Sequence, residues 1–152
     1  MKRLCVLFLA LAWAVFAQGK PNFSGAWELV LDKSNFGPMP PPKKSTDVIT
    51  HREPKIKMKS TMVIPQGEFS EEFNYTTDGA ENTNVSQGTT MRSHSRWEQG
   101  MLITEFDLYV KGTPTHFIER WRLADGGKTL INERTFVTPR GDRLQRLVYA
   151  KK

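Results

Sequence analysis

Beyond Ala17, apolar and polar residues trade places at every second position in short runs, and each run ends in a turn signal. The turns are Glu53-Pro54, Pro65-Gln66-Gly67, Asp78-Gly79, Gln87-Gly88, Gln99-Gly100, Lys111-Gly112, Asp125-Gly126-Gly127 and Pro139-Arg140-Gly141. A period of two is that of half-buried strands, and no stretch keeps a helical period long enough to count. Turns spaced roughly 10 to 14 residues apart predict an all-β fold, an antiparallel up-and-down meander of about 8–10 strands closed into a barrel. The one long connection, Asp32 to Lys44, carries Pro38, Pro40, Pro41 and Pro42. Such a segment reads as a stiff loop, not a linker between domains.

Turn chemistry sets the hairpin registers. Gln99-Gly100 reads as a two-residue turn, while Lys111–Pro114, Asp125–Lys128 and Thr138–Gly141 read as four-residue loops. These lengths place His94, Glu105, Arg120, Glu133 and Arg146 in one directly opposed row. Its charges alternate in sign from Glu105 onward. Facing opposite charges stabilise a sheet by roughly 0.2–1 kcal/mol per pair, so this row is expected on the solvent face.

Parity then defines the interior. One inward row is Trp97, Leu102, Leu123, Leu130 and Tyr149, an apolar floor. The next are Ser95, Thr104, Trp121, Asn132 and Leu147; then Ser93, Phe106, Glu119, Arg134 and Gln145; then Met91, Leu108, Phe117, Phe136 and Arg143. The interior is thus apolar at one end with a polar belt midway. An inward carboxylate opposite an inward guanidinium, Glu119 and Arg134, is the most informative feature. Either charge buried alone is costly, so they pair with each other or with something that enters.

The first residues bear on compartment. Lys2 and Arg3 precede an apolar run from Leu4 to Ala17, shorter than a membrane span, and Val15-Phe16-Ala17 is a small-x-small ending. This is the pattern of a signal peptide, residues 1–17, cleaved after Ala17 to release a secreted or periplasmic protein with no stable membrane anchor. Residues 18–152 then form one domain. The sole cysteine, Cys5, lies in the leader, so the domain has no disulfide or thiolate chemistry. Losing Lys2 and Arg3 with the leader lowers the formal charge from +6 to +4. That mild excess speaks to solubility, not to partners.

Other chemistries find little footing. His51, His94 and His116 fall on separate strands and read as surface histidines, without the convergence that a metal site needs. No inward histidine offers itself to a haem, so no cofactor is expected. There is no nucleophile elbow, phosphate-cradling loop or metalloprotease motif, and no catalytic role is assigned. Glu119 as a buried acid, with Glu71 also inward, is weighed against a structural ion pair, which explains it more simply. Lys55, Lys57 and Lys59 alternate with Ile56 and Met58, and no aromatic interleaves the basic face. That argues for a solvated surface and against nucleic acid.

The N-terminal Phe23-Ser24-Gly25-Ala26-Trp27-Glu28-Leu29 contains a Gly-x-Trp opening. It resembles that of lipocalins and their calycin relatives, while Asn35-Phe36 and Arg146-Leu147-Val148-Tyr149-Ala150-Lys151-Lys152 resemble fatty-acid-binding proteins. Secreted bacterial lipocalin-like domains poor in helix are the nearest likeness. Tyr149 matches the tyrosine of the fatty-acid-binding Arg-x-Tyr; Leu147 stands at the arginine's place. The resemblance implies a lipocalin-like barrel, plugged by Trp27 beside the closing strand, that holds a small apolar molecule. Two readings follow: a carrier of a small hydrophobic or amphiphilic ligand, or a filled barrel acting as a structural or protein-interaction module. For the carrier, the lining residues are Phe106, Trp121 and Phe73 for the apolar part, with Arg134, Glu119, Gln145 and Tyr149 for the polar end. An anionic ligand such as a fatty carboxylate would rest on Arg134.

Overall fold

A computed structural model describes residues 19–152; the leader and its cleavage site lie outside the described residues. Ten antiparallel strands follow one another: β1 (Gly25–Leu29), β2 (Lys44–Arg52), β3 (Lys55–Ile64), β4 (Gly67–Thr76), β5 (Asp78–Ser86), β6 (Thr89–Glu98), β7 (Met101–Val110), β8 (Thr113–Ala124), β9 (Thr129–Val137) and β10 (Arg143–Lys151). They form one sheet in the order β4-β3-β2-β1-β10-β9-β8-β7-β6-β5. Neighbours in sequence pair in space except β4 and β5, and β1 also pairs with β10, which brings the two ends of the chain together. Trp27 pairs with Lys151 on one side and with Asp47 on the other. The all-β meander and its barrel closure are as the alternation predicts.

Closure is not uniform. No ladder joins β4 to β5 among the described residues. Side chains bridge that seam instead. Asn84 accepts from the Asn74 N–H at 2.7 Å and donates to the Asn74 carbonyl at 3.0 Å. Glu71 accepts from the Ser86 hydroxyl and the Gln87 N–H.

Three of the four registers hold. Glu98 faces Met101, Ala124 faces Thr129, and Arg143 faces Phe136. The β7–β8 hairpin differs. Val110 pairs directly with Thr113, so Lys111-Gly112 is a two-residue turn, not part of a four-residue loop. Both central residues have positive φ, 49° and 78°, as a type I′ turn requires. Pro114 enters the strand because Tyr109–Pro114 is the pair that exchanges no hydrogen bonds, and the β9 ladder starts only at His116.

The shift is two residues, so each face keeps its residues while the rows change. Glu105 lies opposite Ile118, and Arg120 opposite Ile103. The continuous ladder from His94 to Arg146 is therefore broken at β7–β8. Glu105 is held by Arg96, while Glu133 lies between Arg122 at 3.9 Å and Arg146 at 3.6 Å.

One end of the barrel is plugged from the N-terminal side. Phe23, fully buried, packs against His51 and Trp97, which also lie against each other at 6.1 Å, with Trp121 edge-on. His51 is also buried, which overturns its reading as a surface histidine. Its Nδ1 accepts from the Phe23 N–H at 3.2 Å, so its Nε2–H donates to Glu53 at 2.9 Å. Trp27 lies beneath, fully buried, donating its indole N–H to the Phe23 carbonyl. The opposite end is open: on the inward side of β4, exposure climbs from 8 % at Tyr75 to 49 % at Phe69.

The Pro-rich segment is not a free loop. Leu31–Lys33 make one 3-10 turn, Asn35 bridges to Arg146, and Phe36 packs against the core. Gly37 passes so close to β10 that a Cβ would sit 2.1 Å from the Leu144 carbonyl oxygen. Only glycine fits this position, where φ is also +55°.

Candidate functional site

Correcting the β7–β8 register assembles a more polar belt than the sequence rows give. One inward row now runs Ser95, Thr104, Glu119, Arg134, Gln145 across β6 to β10. Phe106 and Ser93 leave that row and join Phe117, Phe136 and Arg143, one layer toward the open end. There Phe106 stacks on Phe117 at 4.8 Å between centroids, and Phe117 meets Phe136 at 4.9 Å. The interior is therefore layered: an aromatic plug, a polar belt, then an aromatic collar toward the mouth.

At the centre Arg134 Nη2 binds Glu119 Oε1. The other Glu119 oxygen accepts from Trp121 Nε1 at 3.0 Å and from Asn132 Nδ2 at 3.3 Å. Burial works against the guanidinium's charge, and the Glu119 carboxylate outweighs it, holding Arg134 above its ordinary pKa. Arg134 also keeps 28 % of its side-chain exposure against 7 % for Glu119, so the cation is the more accessible of the two. Gln145 faces Arg134 from β10 and donates to the Phe36 carbonyl at 3.2 Å, tying the belt to the Pro-rich segment.

Tyr149 is buried on β10; burial raises its pKa well above the usual value, and the charge of Asp47 adds to the rise. Phe73 stacks on Tyr75 at 6.2 Å, which meets Trp121 edge-on at 6.4 Å. Arg134, Glu119, Gln145, Trp121 and Tyr149 are thus brought around one belt. Phe106 stands one layer above it, and Phe73 reaches it through Tyr75.

Asp47 was missed. It is 7 % exposed on the inward face of β2, opposite Ser60 of β3. Burial pushes its carboxyl up to about 6; Ser60 favours the charge, Glu119 opposes it, and Arg134 and Tyr149 favour it. The signal was present in the β2–β3 hairpin. Once Ile56 and Met58 point inward, their partners His51 and Ile49 do too, and the next residue of that alternation is Asp47. Asn132 was placed in an inward row but given no role, although it completes the Glu119 shell.

Two clefts lie away from the belt. One, of about 530 Å³, is open and lined by Leu108, Tyr109, Pro114, His116 and Val137 at the rim. Another, of about 360 Å³, lies beside Glu28, Leu31 and Lys152.

No protein-family model matches this chain, and no curated protein resembles it in sequence. Solved structures do resemble it in shape. Secretory abundant heat soluble protein 4 from Ramazzottius varieornatus superposes with a TM-score of 0.60 at 21 % identity, over 88 % of this chain and 96 % of that one. The two share one fold, an antiparallel β-barrel. Zebrafish ileal bile acid-binding protein, solved with cholic acid, gives 0.61 at 14 % identity over 86 % of this chain and 98 % of its own. The fatty-acid-binding protein of Manduca sexta gives 0.50 at 15 % identity over 84 % and 98 %. At these identities the likeness concerns architecture.

Proposed function

We propose that this calycin barrel is a binding protein that holds one small amphiphile, its apolar part in the aromatic collar and its polar end at the belt. The observation that carries the reading is the Glu119–Arg134 pair, set between an aromatic plug and an aromatic collar. A few placed polar groups in an otherwise apolar interior are what orient a small ligand. The fatty-acid and bile-acid binding named for two barrels of the same shape supports this class of ligand. The leader read at Met1–Ala17 supports export, and N-terminal sequencing of the exported protein is expected to begin at Gln18.

The filled-barrel reading draws on a different observation: Asp47, Asn132 and Gln145 are each more than nine-tenths covered. Titration of the neutral dye Nile red into delipidated protein separates the two. The carrier gives saturable one-to-one fluorescence enhancement at micromolar dye, lost when Phe106→Arg is introduced into the collar. A filled barrel gives none.

A further inference from the structure

Arg134 is the belt's one cation among the described residues, and Glu119 already neutralises it. Asp47 adds a second buried carboxyl, and Glu71 stands on the same inward face of β4 as Phe73 and Tyr75. The belt therefore carries more acid than base.

Its hydrogen bonding leans the same way. Asp47 Oδ1, Asn132 Oδ1 and Gln145 Oε1 are buried acceptors without a partner. Arg134 Nε is an unpartnered donor, and the Ser93 hydroxyl can act as either. The two amides cannot be turned over to correct this. Asn132 presents Nδ2 to the Glu119 carboxylate, and Gln145 presents Nε2 to the Phe36 carbonyl. In each case the flipped amide would set oxygen against oxygen. A buried acceptor left without its hydrogen bond is costly, so a donor entering this belt recovers energy that an acceptor cannot.

Building on the carrier reading, we infer that the ligand's polar end is a hydrogen-bond donor without negative charge, a hydroxyl or a primary ammonium, and not a carboxylate. A carboxylate would compete with Glu119 for Arg134 while approaching Asp47, and it would leave all three acceptors unpaired. A hydroxyl or ammonium finds acceptors and leaves the Glu119–Arg134 pair intact. The sequence alone lets an anionic ligand rest on Arg134, because it does not set Asp47 beside the pair.

Isothermal titration with 1-decanol, decylamine, decyl methyl ether and decanoate tests the assignment, since the four share one tail. Decanol and decylamine should bind at least ten times more tightly than the ether, which has lost only the donor, and than decanoate. In Glu119→Gln, which frees Arg134 from its partner, decanoate should gain at least fivefold. In Asp47→Asn, decylamine should lose at least tenfold while decanoate does not weaken. Ether or decanoate binding as tightly as decanol in the unaltered protein would overturn the donor assignment and leave the carrier reading standing. Absence of binding by all four would overturn both.

Discussion

Asn84 of β5 binds the backbone of Asn74 in β4 as a neighbouring strand would, accepting from its N–H at 2.7 Å and donating to its carbonyl at 3.0 Å. One amide thus satisfies a donor and an acceptor that would otherwise face each other across the unpaired seam. Asn84→Ala should cost about 1–3 kcal/mol, because both backbone groups lose their partner where Asn84 is itself buried. Hydrogen exchange should locate the loss: the Asn74 amide should exchange faster, while amides in the β8–β9 ladder should not. Uniform acceleration across the sheet would count against a local role.

Glu53 gathers hydrogen bonds from His51, Lys20, Thr77 and Trp97. Burial opposes its charge, yet these bonds outweigh it and draw the pKa down from 4.5 to about 2. The unfolded chain then binds the proton more readily than the folded one. Stability from Glu53 is complete above 4.5 and drains away as pH falls toward 2. Thermal melts of Glu53→Gln should show a shallower decline than wild type across that interval. Parallel declines would mean that the four bonds do not favour the charged form.

Asp47 has the opposite sign. Its folded pKa is raised from 3.8 to about 6, so the folded state holds the proton more tightly and stability falls as pH rises between those values. A rise of this size corresponds to about 3 kcal/mol at most. Asp47→Asn should therefore stabilise the protein at pH 7.5 and be nearly neutral at pH 4, read as urea midpoints. Stabilisation at both pH values would show that packing, not charge, is responsible.

The registers predict which surface charges speak to each other. Double-mutant cycles should give about 0.2–1 kcal/mol of coupling for Arg96 with Glu105 and for Glu133 with Arg146. Arg120 with Glu105 should give less than either, since Glu105 faces Ile118. A larger Arg120–Glu105 coupling would restore the four-residue loop at Lys111–Pro114.

Alternation carries face but not register, which is why the interior was legible while its rows were not. A slip of two residues leaves Glu119 and Phe106 inward but changes their neighbours. The β7–β8 slip came from reading Pro114 as a loop residue; a proline at a pair that exchanges no hydrogen bonds leaves no sequence signal. Glu119 opposite Arg134 was readable because Asp125–Lys128 fixes the β8–β9 hairpin on its own. Asp47 is reachable through the β2–β3 hairpin, but only when the inward face of Ile56 and Met58 is carried across it to His51, Ile49 and the residue beyond. His51 lies on that same alternation, but what fixes its ring does not. Its partner is the Phe23 backbone, and a segment that folds back as a plug has no period to read.

The placing of β1 between β2 and β10 has a temporal side. The nine other strands can zip up hairpin by hairpin within the runs β2 to β4 and β5 to β10, each contact closing a short loop quickly. The final join must wait for two distant stretches of chain to meet, and loop closure of that span is slow. Until it happens, β2 and β10 are bare edges, ready to recruit the same strands from another copy. Yield of soluble protein on refolding should therefore depend on how long that join takes, and dilute, cool conditions should favour it over any change made to the belt.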